Sequence, residues 1–233
     1  MNKEQLKEQL NLRNIKFDDS RIDLLFSYMD YTLTTNEKFN LTAITNRDEF
    51  VEKMIFDSAL VLNDTDLANK KIIDVGTGAG YPGMVLKILE PNSFFTFLDS
   101  TKKKIDFIKS FALANGLDSS FVSDRAELYS KKHIEEYDIA LARAVASLPI
   151  LLEIISPLLK VGGEFIALKG ANYEEEITSS IKALNKLNLK LSYIEEFDLP
   201  ECNEKRALIH IKKIKPTSKK YPRDYSEIKK QPL

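Results

Sequence analysis

Residues 72–83 read Ile72-Ile73-Asp74-Val75-Gly76-Thr77-Gly78-Ala79-Gly80-Tyr81-Pro82-Gly83. A short apolar run interrupted only by Asp74 enters a glycine-rich turn, and Pro82 suits the first turn of a following helix. Glycines belong where backbone takes positive φ or comes close to a ligand. Gly78 to Gly83 satisfies the dinucleotide spacing, so glycine count alone leaves a nicotinamide cofactor open. Asp74, two residues before Gly76, favours S-adenosylmethionine instead. That molecule has no pyrophosphate to seat on a helix N-terminus; it has a cationic sulfonium and an amino-acid head, which suit an acidic group acting directly or by ordering the loop.

Outward from this turn, apolar runs alternate with helical segments, the pattern of βαβ units and a mainly parallel sheet. Expected strands are Ile72–Val75, Phe94–Leu98, Ser120–Ser123, Asp138–Ala142, Glu164–Leu168, Leu191–Phe197 and Ala207–Ile214. Expected helices are Gly83–Leu89, Lys103–Asn115, a short one after Ala126, Leu148–Leu159 and Tyr173–Leu187. Only Pro200 to Glu204 separates the last two strands, which predicts an antiparallel hairpin. Upstream, Ile22 to Met29 and Arg47 to Leu62 carry helical periodicity. The fold expected is α/β of the class I methyltransferase type: Rossmann-like, with a seven-stranded, mostly parallel sheet ending in a hairpin, plus an N-terminal helical cap. The expected units are a cap at 1–66, a methyltransferase domain at 67–215 and a basic tail at 216–233.

Polar groups gather at the carboxyl ends of the expected strands, where such sheets bind ligands. Asp99 lies about 20 residues beyond the loop, where a ribose diol is commonly held. It could equally cap the next helix. Arg125, Ala126 and Glu127 follow the third strand and Arg143 follows the fourth. Each alone could be a surface ion pair; together they line one crevice.

With 43% hydrophobic and 30% charged residues among 233, the composition fits a folded globular chain. The first 12 residues are too polar for a secretory signal, and no apolar run is long enough for a bilayer, so the expectation is cytoplasmic. Cys202 is the single cysteine and His133 and His210 the only histidines, so neither a disulfide framework nor a bound metal is expected. The net charge of -1 hides an asymmetry. Residues 212–233 hold eight Lys/Arg against two acids, leaving a +6 tail on a -7 body. Such a tail can hook nucleic acid or simply solvate the terminus.

These motifs resemble the RsmG (GidB) family, which methylates N7 of a guanine in 16S rRNA. The resemblance rests on Asn40-Leu41-Thr42, Asp57-Ser58, Asp74 to Gly83, Leu98-Asp99-Ser100 and Lys103-Lys104, then Arg125-Ala126-Glu127, Arg143-Ala144 and Leu168-Lys169-Gly170. The tail Lys220-Tyr221-Pro222-Arg223 and Pro232-Leu233 completes it, covering Asn36 to the C-terminus. It implies S-adenosylmethionine as cofactor, with Gly76, Tyr81, Ala126, Glu127 and Arg143 as contacts, to which the loop adds Asp74, Gly78, Gly80 and Asp99. It also implies RNA-facing positions at Asn40, Lys103, Lys104, Arg125, Lys169 and Arg206, to which the tail adds Lys220, Tyr221 and Arg223. Arg143, Lys103 and Asn40 are the expected catalytic set. The sequence departs from the family at Thr35, where a Trp is common, and at Met54, where His is usual. A third departure is Lys103-Lys104, in place of Lys-Arg.

N7 of guanine bears a lone pair and no proton, so this chemistry needs alignment rather than a base. Tyr81, Tyr221 and Tyr225 are candidates to stack on a presented base. Lys102–Lys104, Lys212–Lys215 and Lys219–Arg223 are candidates to neutralise phosphate. The implied partner is 16S rRNA, the small ribosomal subunit or its assembly intermediate, met by a monomer with no membrane involved. Other readings stay open: a methyltransferase for another RNA, a protein or a small molecule, a dinucleotide oxidoreductase, or a non-catalytic assembly factor.

Overall fold

The computed structural model describes residues 1–233. Seven strands form one sheet in the order β3-β2-β1-β4-β5-β7-β6. They are β1 (Lys71–Val75), β2 (Phe94–Asp99), β3 (Ser120–Ser123), β4 (Tyr137–Arg143), β5 (Leu159–Lys169), β6 (Leu189–Asp198) and β7 (Lys205–Lys213). The first five pair in parallel, while β7 runs antiparallel to both β5 and β6. The hairpin is as expected, but its second strand inserts beside β5 and leaves β6 at the edge. Burial agrees: β7 is mostly buried, whereas β6 is almost entirely half-buried or exposed. The strand order reverses between β1 and β4, which opens a crevice at their carboxyl ends.

Helices cover both faces. One face packs α1 (Lys3–Leu12), α2 (Asp19–Asn36) and a continuous helical run over 47–62 against the sheet. That run comprises α3 (Arg47–Phe50), a π-helical stretch at Val51–Phe56, α4 (Asp57–Ala59) and a 3-10 turn at Leu60–Leu62. In that π-helical stretch the backbone hydrogen-bond offset widens from four residues to five. α5 (Gly83–Leu89) and α6 (Lys102–Ala114) complete this layer. Leu6, Leu25 and Phe56 are fully buried in the same core as Met84, Phe97 and Leu208. The boundary drawn at residue 66 therefore marks a change of sequence pattern, and packing continues across it.

The opposite face carries α7 (Ala126–Ser130), α8 (Leu148–Ile155) and α9 (Tyr173–Lys186). α8 ends at Ile155, earlier than the apolar run suggests, because Pro157 follows and Leu159 already joins β5. The last segment is no frayed tail. It forms α10 (Tyr225–Lys230), and Tyr221, Ile228 and Leu233 are all buried, two of them in the core under α8. No helix is long and apolar enough to cross a membrane.

Candidate functional site

The glycine loop leaves β1 at the switch point. Gly76 and Thr77 donate their amides to the Leu98 carbonyl of β2 at 2.7 and 3.0 Å, which ties the turn to the neighbouring strand. Asp74 is 1% exposed, and its Oδ2 accepts from the Thr77 hydroxyl at 2.6 Å and the Gly83 amide at 3.0 Å. It thus clasps both ends of the loop, in keeping with the loop-ordering role expected of it. Burial raises its carboxyl to about 6, against the pull of those two hydrogen bonds. Gly83 permits the clasp, since a Cβ there would lie 2.7 Å from both the carboxylate and the Phe97 ring. Gly80 (φ +84) likewise faces the Tyr28 hydroxyl, where any side chain would collide. Asp74 and Gly80 therefore both shape the loop.

The loop borders a cavity of about 570 Å³, lined by Gly76, Gly78, Tyr81, Asp99, Ala126, Glu127 and Arg143 among others. That size lies within the range for small-molecule sites. Asp99 accepts the Gly78 amide on Oδ2 at 3.0 Å and the Thr101 amide on Oδ1 at 2.8 Å, so it joins the loop to the start of α6. Its carboxylate retains lone pairs for a hydroxyl-bearing ligand. Glu127 is 6% exposed and pairs with Arg125, whose guanidinium lies 4.9 Å over the Tyr225 ring. Tyr225 itself lines this cavity, so α10 supplies one of its walls. Tyr81 is 4% exposed and held by Tyr28 and Phe50; it presents its ring to the cavity rather than projecting into solvent.

A larger cavity of about 1050 Å³ adjoins the first. The two share Met54, Arg143, Ala144, Val145 and Ala146 as a common wall. Ala144 adopts φ 55, a conformation uncommon for residues with a Cβ, and so turns the chain sharply out of β4. Arg143 donates to the Lys53 carbonyl at 3.0 Å, to the Met54 sulfur at 3.1 Å and to Asp57 at 3.4 Å, and lies 5.9 Å from the Tyr81 ring centre. Its Nε makes no bond within the protein and remains a donor for a ligand. Met54 touches this arginine and borders both cavities.

Lys169 and Arg206 both line the larger cavity, each already paired. Lys169 bonds Glu176 at 2.7 Å and the Ala146 carbonyl at 3.0 Å, which fastens the loop after β4. Arg206 bonds Glu204 at 2.7 Å. Lys104 borders the smaller cavity, while its chain neighbour Lys103 is exposed. Three lysines thus open α6 with no acid in its first turn and no side-chain cap. Cations at a helix N-terminus oppose its dipole, so this run costs α6 stability.

Several expectations need correction. Asn40 is exposed and lines neither cavity; Asn36 organises that turn by accepting from Leu41 and Thr42 at 2.7 and 3.0 Å. Lys103 borders no cavity either, so of the expected catalytic set only Arg143 reaches the shared wall. In the tail, Arg223 makes two bonds to Glu153, at 2.9 and 2.6 Å, and that carboxylate is 0% exposed on α8. Arg223 is a structural anchor here, with its charge spent on a buried partner. Tyr221 is 7% exposed and cannot stack on an incoming base, whereas Lys220 is exposed. Lys213 is 1% exposed and donates to the Ser156 and Leu159 carbonyls, so it is no phosphate ligand. The reading of residues missed Glu153, although one acid inside Leu148-Pro149-Ile150-Leu151-Leu152-Glu153-Ile154-Ile155 was a signal for a buried partner.

A family model described as GidB, rRNA small subunit methyltransferase G, matches residues 21–209. The chain is 41% identical over 237 residues to a ribosomal RNA small subunit methyltransferase G from Bacillus cytotoxicus, covering 100% of this chain and 99% of that one. It is 40% identical to the protein of that description from Halalkalibacterium halodurans, over 98% of each. Among solved structures, TrmN from Thermus thermophilus aligns with a TM-score of 0.52 at 18% identity, over 68% of this chain and 48% of that one. At that identity the likeness is one of fold, and the fold is that of class I methyltransferases.

Proposed function

The chain belongs to the GidB family, the small-subunit rRNA methyltransferases G, and from this we propose that it methylates N7 of a guanine in 16S rRNA with S-adenosylmethionine as donor. The observation that carries the reading is the pair of adjoining cavities with Arg143 on their shared wall. The smaller cavity suits the donor: Asp99 for a ribose diol, Ala126 and the Tyr225 ring for a flat base, and Glu127 among the acids that tolerate a cationic head. The donor supplies an electrophilic methyl group on a sulfonium.

The residues do the remaining work. The larger cavity has room for a nucleotide turned out of the RNA stack. The free Nε of Arg143 can donate to guanine O6, the acceptor adjacent to N7, and so orient the ring. No side chain is needed to remove a proton. Lys103 and Lys104 stand at the rim as phosphate partners, which accounts for three lysines at an otherwise unfavourable helix end. The cytoplasm and a monomeric state accord with this reading.

The test is methyl transfer from radiolabelled S-adenosylmethionine to small subunits purified from cells lacking the protein. Label recovered as 7-methylguanosine in 16S rRNA supports the reading. Labelled rRNA with another modified nucleoside overturns the N7 assignment, and no label despite cofactor binding overturns the substrate.

A further inference from the structure

Four cationic side chains, Lys53, Arg143, Lys169 and Arg206, line the larger cavity. Lys53 pairs with Glu204 at 2.5 Å and Glu49 at 2.9 Å, and Lys169 with Glu176. Asp57 stands differently. Its side chain is 7% exposed and lies between two guanidinium groups, 3.4 Å from Arg143 Nη1 and 3.7 Å from Arg206 Nε. It is the only carboxylate paired with the arginine that the two cavities share. Burial raises its carboxyl from the usual range, opposed by Arg143 and then Arg206.

The position matters because methyl transfer to a ring nitrogen relocates a charge. The sulfur–methyl bond breaks with its electron pair staying on sulfur, and the ring nitrogen's lone pair forms the new bond. No proton moves, so one positive charge leaves the smaller cavity and appears in the larger. That cavity is lined by four cations and three carboxylates; Lys53, Lys169 and Arg206 have other acids as partners, whereas Arg143 on the shared wall has Asp57 alone. Without Asp57, its repulsion of an arriving charge in this partly buried site would be substantial.

We propose that Asp57, acting through Arg143, offsets the positive charge arriving on the methylated base. The inference rests on the methyl-transfer reading above. It distinguishes binding from turnover. RNA binding benefits from positive charge, whereas the chemical step suffers from it, so loss of this one carboxylate moves the two in opposite directions. A purely structural role would impair both together.

The experiment measures kcat, KM for small subunits and cofactor Kd for the wild type, Asp57→Asn and the double variant Asp57→Asn/Arg206→Gln, with thermal unfolding in parallel. For Asp57→Asn, kcat falls about tenfold or more, KM for the subunit stays equal or drops, and cofactor Kd stays within about twofold. The double variant restores the original charge balance, and its kcat returns to within about fivefold of wild type. Where the single variant does not fold, the double variant decides on that same threshold. Unchanged kcat in Asp57→Asn, or a double variant below the threshold, overturns the proposal. Absence of transfer by the wild type overturns the methyl-transfer reading itself and this inference with it.

Discussion

The Tyr28 hydroxyl of α2 donates a hydrogen bond to the Ala79 carbonyl of the glycine loop at 2.7 Å, in a fully buried setting. An N-terminal helix thereby holds the turn that borders the smaller cavity. The same tyrosine packs on Tyr81 at 5.4 Å and on Phe111 at 4.6 Å between ring centres. Tyr28→Phe keeps those contacts and orphans the carbonyl, so stability falls by about 1–2 kcal/mol. Cofactor affinity weakens several-fold with it. Calorimetric unfolding and cofactor titration check this, and unchanged cofactor affinity would separate the N-terminal helices from the site.

Arg223 and Glu153 form the pair that docks the C-terminal segment. Removing Arg223 alone leaves a carboxylate buried without its partner, which costs about 3–5 kcal/mol. Glu153→Gln combined with Arg223→Gln removes both charges and recovers much of that loss. The expected order of Tm is wild type, double variant, then Arg223→Ala. Because Tyr225 borders the smaller cavity, Arg223→Ala also weakens cofactor binding.

Asp74 predicts a pH dependence. Its folded carboxyl is raised to about 6 from an ordinary 3.8, so between those values the folded state binds more protons than the unfolded state. Stability therefore falls as pH rises through that window, and the ionised group is tolerated above it. Asp74→Asn keeps an acceptor for Thr77 and Gly83 and abolishes this contribution. Unfolding at pH 4, 5, 6 and 7 should show a flatter profile for the variant; parallel profiles would refute the assignment.

Lys103 and Lys104 should act on RNA affinity through counterions. Each lysine that contacts a phosphate adds about 0.7–0.9 to the slope of log affinity against log salt. Lys103→Ala and Lys104→Ala should each lower the slope by about that amount. Arg223→Ala, by contrast, should leave the slope unchanged, since its guanidinium is committed to Glu153. Filter binding from low to high salt measures all three.

The parallel sheet was legible because each βαβ unit writes its own local pattern, and Asp74 to Gly83 combines strand, turn and helix start in 10 residues. That Asp99, Glu127 and Arg143 line one cavity was legible for a topological reason, since polar groups at parallel-strand ends converge on one edge. Asn40 and Arg223 were not: a polar residue near a motif, or a basic one in a tail, has no local mark telling solvent from a buried partner. Met54 and Asp57 stood in quoted motifs without a role, because the arginine that gives them one lies 89 and 86 residues away.

Hydrophobic periodicity and glycine spacing are local quantities, and they sufficed for the class of fold, the hairpin ending and the edge of the sheet that carries the crevice. Which charges stay free is a matter of non-local pairing. Lys213, Lys169 and Arg223 read alike with Lys103 in one dimension, yet the first three find carbonyls or carboxylates in the folded chain while Lys103 finds none. Burying a charge without such a partner costs several kcal/mol, so only the packed chain could divide its cations into those that hold the fold and those left exposed.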